Sequence, residues 1–257
     1  MVRGLFTAYT GMANEQKRLD VVANNLANAA TIGYKKESVT NQSFDDVLTI
    51  KIRDESEAYN DRPIGTMNLG VKLGEAYTDY NQGSLRQTTN TYDLALDGKG
   101  FFAISVLDKS GNSSTKYTRN GSFTMTKDGY VVDKDGNHLL GEAGEILIPT
   151  DVVDVIIDEN GDIYGDGNYI DTILLTDFEN YDYLIKFGDT MYELVDGGVE
   201  IPSNAAIRQG YTEQSNVNVV KEMVDLIAIT RTYEANQKVI QSIDKTLDLA
   251  ANSIGKI

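Results

Sequence analysis

Apolar residues at both ends of this chain recur at the three-and-four spacing of a helix seam, while the middle alternates over short runs broken by glycine. Toward the C-terminus Leu226, Ile229, Tyr233, Asn236, Ile240, Ile243, Leu247, Ala250 and Ile254 keep that spacing without interruption, with Asn236 as the polar member. Near the N-terminus Leu5, Ala8, Met12, Leu19, Val22 and Leu26 follow the same repeat, broken at Glu15. A 3.5-residue apolar repeat keeps one seam turned toward a partner helix. The expected fold class is therefore α+β, with N- and C-terminal helices paired as a coiled coil and a central β-rich domain inserted between them. At about 1.5 Å per residue the C-terminal helix would run roughly 60 Å and the N-terminal one roughly 40 Å. Asn236 is expected to fix helix register at some cost in stability.

A second stripe lies off each seam. Val220, Val224 and Ile227 sit at i, i+4 and i+7, and Phe6 and Tyr9 form its counterpart near the N-terminus. A two-helix hairpin covers one seam per helix and leaves such a stripe wet, and exposed apolar stripes of that size mark contact surfaces. Contact with other subunits is the expected use; packing on the chain's own middle is the alternative.

The middle reads as strands and hairpins. Residues 31–211 hold all three prolines, 20 of the 23 glycines and 13 of the 15 tyrosines. Residues 92–107 supply two apolar runs around Gly98 and Gly100. Turns follow at Asn120-Gly121, Asp128-Gly129, Asp135-Gly136 and Asn160-Gly161, pairs that tolerate the positive φ of tight hairpins. Three regions are expected: a helical assembly domain from 1–34 and 212–257, an extended connector over 35–75, and a β-rich outer domain over 76–211. Residues 48–70, polar and charged around Pro63, look like a loop.

Charge and composition narrow the chemistry. The net charge is −16, carried entirely by residues 31–211; this argues against nucleic acid, whose binders need basic surface, and against anionic lipid. There is no cysteine and one histidine, His138, which removes thiolate chemistry and leaves a histidine-dependent triad to a single residue. No apolar run reaches 18 residues, so no membrane insertion is expected, and the first residues lack the apolar core of a cleaved signal peptide. Asp158–Asp162 and Asp133–Asn137 resemble calcium loops in passing, but the sixth and twelfth EF-hand positions are wrong in the first and His138 replaces the glycine of the second. Gly98-Lys99-Gly100 lacks the ending of a phosphate loop. No catalytic residue, metal site or cofactor is expected.

Three blocks carry a resemblance. Val22–Asn28 followed by Thr31-Ile32-Gly33-Tyr34-Lys35-Lys36 resembles the N-terminal signature of bacterial flagellar rod and hook proteins. Gly210-Tyr211 and Glu213–Asn218, leading into Glu222-Met223-Val224 and Arg231–Asn236, is similar to the family's other signature. Asp93–Gly98, Gly100–Phe102 and Tyr117–Phe123 resemble the first strands of its β domain. The resemblance implies a structural subunit of the basal-body rod, not an enzyme, that self-associates into a hollow helical shaft transmitting torque. It implies other flagellar axial proteins and the flagellar export apparatus as partners, and a basal-body location reached without a cleaved signal. Chain length favours rod over hook, with proximal and distal rod both open. For Asn24, Asn25 and Asn28 it implies polar contacts between subunits, beside the simpler reading that weak helix formers fray a helix end before Gly33. A phage-tail-like or other secreted fibrous subunit is the runner-up, and a cell-wall glycosidase using two acids comes third.

Overall fold

The computed structural model describes residues 2–50, 63–107, 111 and 113–254. The chain forms two compact units, one from Met1–Ala27, Glu37–Asp79 and Asn218–Ile257, the other from Asn28–Lys36 and Tyr80–Val217.

The first unit is built on two helices and a β ribbon. Helix α1 spans Val2–Ala27 and α2 spans Val219–Leu249, continued by a π-helical turn over Ala250–Ile254. Asn218 caps α2: its side chain accepts from Lys221 N (3.1 Å), satisfying an amide that a helix start leaves without a partner, and its carbonyl takes the first helical bond, from Glu222 N (3.0 Å). Strand β1 (Glu37–Ser43) pairs antiparallel with β4 (Val71–Thr78), from Glu37 opposite Thr78 to Ser43 opposite Val71, with a bulge between Val39 and Asn41. Strands β2 (Val47–Ile50) and β3 (Pro63–Met67) extend the same ribbon. Asn68 bridges the break between the two pairs, its amide donating to the carbonyl of Phe44 (2.5 Å) and its carbonyl accepting from Gly70 N (2.9 Å).

This ribbon changes two expectations. The 35–75 segment is not an extended connector, because β1 to β4 pair with one another; 51–62, the centre of the expected loop, lies outside the described residues. Nor are the helices a coiled coil. They do pair, but α1 is shared between α2 and the ribbon. Asn14 Nδ2 donates to Asn41 Oδ1 (3.0 Å), and Asn25 both donates to the Glu37 carbonyl (2.7 Å) and accepts from its amide (3.0 Å). A Cβ added to Gly70 would strike Thr10. A coiled coil rests on one apolar seam with knobs in facing holes; α1 instead has a second, largely polar face occupied by β strands.

The second unit is a β structure. Its large sheet runs in the order 184–187, 191–194, 113–118, 101–107, 138–141, 131–133, 123–125, with 175–178 pairing both 101–107 and 200–202. Strand Phe101–Leu107 is buried on both faces, so it reads as a continuous apolar run instead of an alternation. Phe102 and Ile104 join a core with Leu94, Phe123, Leu139 and Ile207, while Phe101 and Ala103 pack on the other side with Phe178 and Tyr192. Of the expected turns, Gly129, Gly136 and Gly161 have positive φ. Gly121 does not; it is glycine because a Cβ there would collide with the Leu94 carbonyl.

A smaller sheet, 155–157, 162–165 and 168–172, closes one edge with a side chain. Gln209 Oε1 accepts from Ile157 N (3.2 Å), and its Nε2 donates to the carbonyl of Val155 (3.0 Å), so one amide replaces the missing strand neighbour.

Asp133 is one of several buried side chains that keep a polar atom without a hydrogen-bond partner among the described residues. It is 2 % exposed; Oδ1 accepts from Lys134 N (2.7 Å) and Asn120 Nδ2 (3.3 Å), whereas Oδ2 has no partner among the described residues. Burial pushes its carboxyl above the usual carboxylate range. A raised acid pKa gives a contribution to stability that is full below the unfolded value of about 3.9 and is lost as pH rises through the folded value. In urea unfolding from pH 3.5 to 7, the stability of Asp133→Asn relative to the parent should therefore rise with pH. A pH-independent difference would contradict this placement.

Candidate assembly surface

The two helices run antiparallel in a single register. A Cβ on Gly4 would meet Ile243 Cδ1 at 3.6 Å and one on Gly11 would meet Asn236 Nδ2 at 3.0 Å; Asn25 Nδ2 donates to Glu222 Oε2 at 3.3 Å. In each pair the residue numbers sum to 247, as an antiparallel pair in constant register requires. Small residues on α1 let the backbones approach, and the amide of Asn236 lies against Gly11. Glu222, 1 % exposed, stands in the first turn of α2, where the helix N-terminus favours a negative charge.

Of the seam positions, Ala8 and Ile229 are buried. Leu5, Met12, Leu19, Val22, Leu26, Leu226, Tyr233, Asn236, Ile240, Ile243 and Ala250 are half-buried, Leu247 is exposed, and the Ile254 side chain lies outside the described residues. Glu15, which interrupts the repeat, is buried and accepts from Arg18 Nη1 at 3.0 and 2.9 Å.

The second stripe is open. Val220 is 72 % exposed, and Val224, Ile227, Phe6 and Tyr9 are each more than half exposed. At 100° per residue, Val220, Val224 and Ile227 point away from the line through Ile229, Asn236 and Ile240. Met223, also exposed, widens this face; it stands at i+3 from Val220 and was missed by a strict i, i+4, i+7 template. The asparagines divide. Asn24 is exposed, while Asn28 accepts from Thr31 Oγ1 (3.1 Å) in the other unit. Asn25, expected at a contact between subunits, is 1 % exposed and spends its amide on Glu37 and Glu222. It is a lock inside the chain, tying the end of α1 to the first residue of β1.

Within the second unit the three sequence blocks converge on one buried carboxylate. Glu213 Oε1 accepts from Lys35 Nζ (2.5 Å) and Gly83 N (2.8 Å), and Oε2 accepts from Arg119 Nη1 (3.3 Å). Lys35 also donates to the Asn81 carbonyl (2.8 Å) and Arg119 to that of Gly98 (2.8 Å). All three side chains are at most 3 % exposed. Backbone bonds run alongside: Gly33 N donates to the Glu213 carbonyl and Lys36 N to Asn216 Oδ1, both at 2.8 Å. Gly33 has a φ of 71°, and a Cβ there would strike the Asn120 backbone. Two cations on one carboxylate, out of water, are held only while every partner is present.

His138 lies in the β unit. It stands at a strand start with Nδ1 3.2 Å from Glu145 Oε2 and its ring against Tyr130. Among the described residues no group of acidic or histidine side chains could hold a metal ion, and no helix is long and apolar enough to cross a membrane.

Comparison with known proteins covers the same regions. Residues 5–35 match the family described as flagella basal body rod protein, 95–165 the flagellar hook protein FlgE/F/G D1 domain, and 208–253 the flagellar basal body rod FlgEFG protein C-terminal region. The chain is 34 % identical to the flagellar basal-body rod protein FlgG of Bacillus subtilis, over 98 % of this chain and 99 % of that one. It is 34 % identical to FlgG of Caulobacter vibrioides (96 % and 97 % covered) and 30 % identical to the flagellar hook-basal body complex protein FlhO of Bacillus subtilis (100 % of each).

Removing the Glu213 charge should take the shared carboxylate away from the buried Lys35 and Arg119 cations, a loss of about 3–5 kcal/mol. Chemical denaturation of Glu213→Gln should show it; a change below about 1 kcal/mol would mean the cluster is not what holds these segments.

Proposed function

This chain belongs to the flagellar basal-body rod protein family and is a structural subunit of that rod, and from this premise we propose that its copies join helix unit to helix unit into a hollow helical shaft. The observation that carries the reading is the open apolar face of α2, Val220, Val224 and Ile227, on a helix whose opposite side is already occupied by α1. At about 25 cal/mol per Å² of apolar surface, a modest stripe repeated through a lattice yields a large total. Phe6 and Tyr9 supply a second contact at the start of α1. By the antiparallel register this contact lies toward the far end of the helix pair from Val220, so one copy's two contact sites do not coincide. Separated sites of that kind suit heterologous, open-ended association, not a closed dimer.

The shaft so formed would transmit torque and leave a passage for exported subunits. Its axial neighbours are other rod and hook proteins, and delivery would run through the flagellar export apparatus without a cleaved signal.

Two substitutions test this. Val224→Asp places a charge on the outer face: isolated chain should keep its helix content by circular dichroism, while recovery in purified basal bodies falls at least ~tenfold, the equivalent of about 1.4 kcal/mol. Ile240→Asp strikes the α1 contact and should lower both helix content and incorporation, with the β unit still folded. Normal shafts built from the Val224→Asp chain would overturn the proposal.

A further inference from the structure

Between Lys134 and Lys186 the chain carries thirteen acidic residues and no lysine or arginine. The small three-stranded sheet lies in this stretch, and its outer face has an ordered pattern. Ile156 stands opposite Tyr164, and Tyr164 opposite Tyr169. This row is open to solvent, with Ile156 and Tyr169 each more than half exposed and the two tyrosine rings 6.1 Å apart edge to face.

Aspartates occupy its corners. Residues two apart along a strand share a face, so Asp154 and Asp158 flank Ile156 and Asp162 flanks Tyr164; Asp166, in the hairpin turn with a φ of 48°, stands at the fourth corner through the pairing of its amide with Asp154. The register sets the corners in like-charged pairs: Asp166 N donates to the Asp154 carbonyl (3.0 Å) and Asp158 N to that of Asp162 (2.9 Å). Like charges directly opposite destabilise a strand pair. Neutral contacts hold some of these carboxylates in place, as when Asp162 accepts from Thr172 Oγ1 (2.6 Å) and Asp166 from Asp154 N (3.1 Å). None of the four forms an ion pair among the described residues; Arg208, the nearby cation, is spent on Glu159 and Asp97.

We propose that this sheet face docks an arginine-rich segment of a different protein. A guanidinium over Tyr164 or Tyr169 would gain from the ring faces, and the corner carboxylates accept its planar donor fork. Nucleic acid and anionic lipid carry the wrong sign. A second copy of this chain, at −16, brings mainly more acid. Because the face belongs to the β unit, the inference stands apart from the helix-to-helix assembly above.

The test uses the purified full-length chain and labelled hexa-arginine, with hexa-lysine and hexa-glutamate beside it, read by fluorescence anisotropy at two salt concentrations. Hexa-arginine should bind in a salt-dependent manner and more tightly than hexa-lysine, whose point charges cannot stack. Asp158→Asn/Asp162→Asn should weaken it roughly tenfold while leaving the fold at least as stable, since like-charge crowding is relieved. Tyr169→Ser, at an exposed position and unchanged net charge, should weaken it severalfold. Asp182→Asn/Asp189→Asn, which removes the same charge elsewhere, should bind like the parent. Equal weakening by this control pair, or unaltered binding by Tyr169→Ser, would overturn the proposal in favour of a diffuse acidic surface.

Discussion

The antiparallel contact of α1 with α2 is the constraint from which the helical unit follows. It joins segments about two hundred residues apart, and it does so along a line where one side is small: Gly4, Ala8 and Gly11 face Ile243, Asn236 and their neighbours. The closure entropy for so long a separation grows only logarithmically with length, so a large insertion is tolerated once the pairing is favourable. The consequences for the two helices differ. Helix α1 is covered twice, by α2 and by the β ribbon through Asn14 and Asn25. Helix α2 is covered once within its unit, and its outer face keeps valine and isoleucine in water.

The β unit rests on a different kind of interaction. Apolar packing around Phe102 and Phe123 builds its core, but the segments 28–36, 80–98, 119 and 211–216 are tied by the carboxylate of Glu213. Such an arrangement adds little net energy over an apolar substitute, yet any single loss leaves charge stranded. That asymmetry gives a physical reason why the three sequence blocks carry Gly33, Lys35, Arg119 and Glu213 together. Gly33 allows the backbone approach to Asn120, and the charged residues meet a few residues away.

Much of this was legible beforehand. A helix at each end followed from periodicity, although 28–34 and 212–217 belong to the β unit; the strands around Gly98 followed from apolar runs, and three of four turns from Asn-Gly and Asp-Gly pairs. Family membership followed from the blocks. What periodicity could not show was the second face of α1, because Asn14 and Asn25 are polar and a seam search counts only apolar positions. The β ribbon was hidden for a related reason: residues 37–43 and 71–78 are half-exposed and polar, so neither alternates cleanly. Lys35 and Glu213 lie in separate blocks 178 positions apart, and nothing local in either block signals their pairing. The aspartate corners needed the register of the sheet, which sequence spacing alone leaves open.

The helix register is the claim most directly open to measurement. The chain has no native cysteine, so Gly11→Cys/Asn236→Cys can be oxidised in assembled basal bodies and the product sized under denaturing conditions. The account predicts a cross-link inside single chains, and none for Gly11→Cys/Ile229→Cys, shifted by about two helical turns. Cross-links that form only between chains, or equally well in the shifted pair, would contradict it.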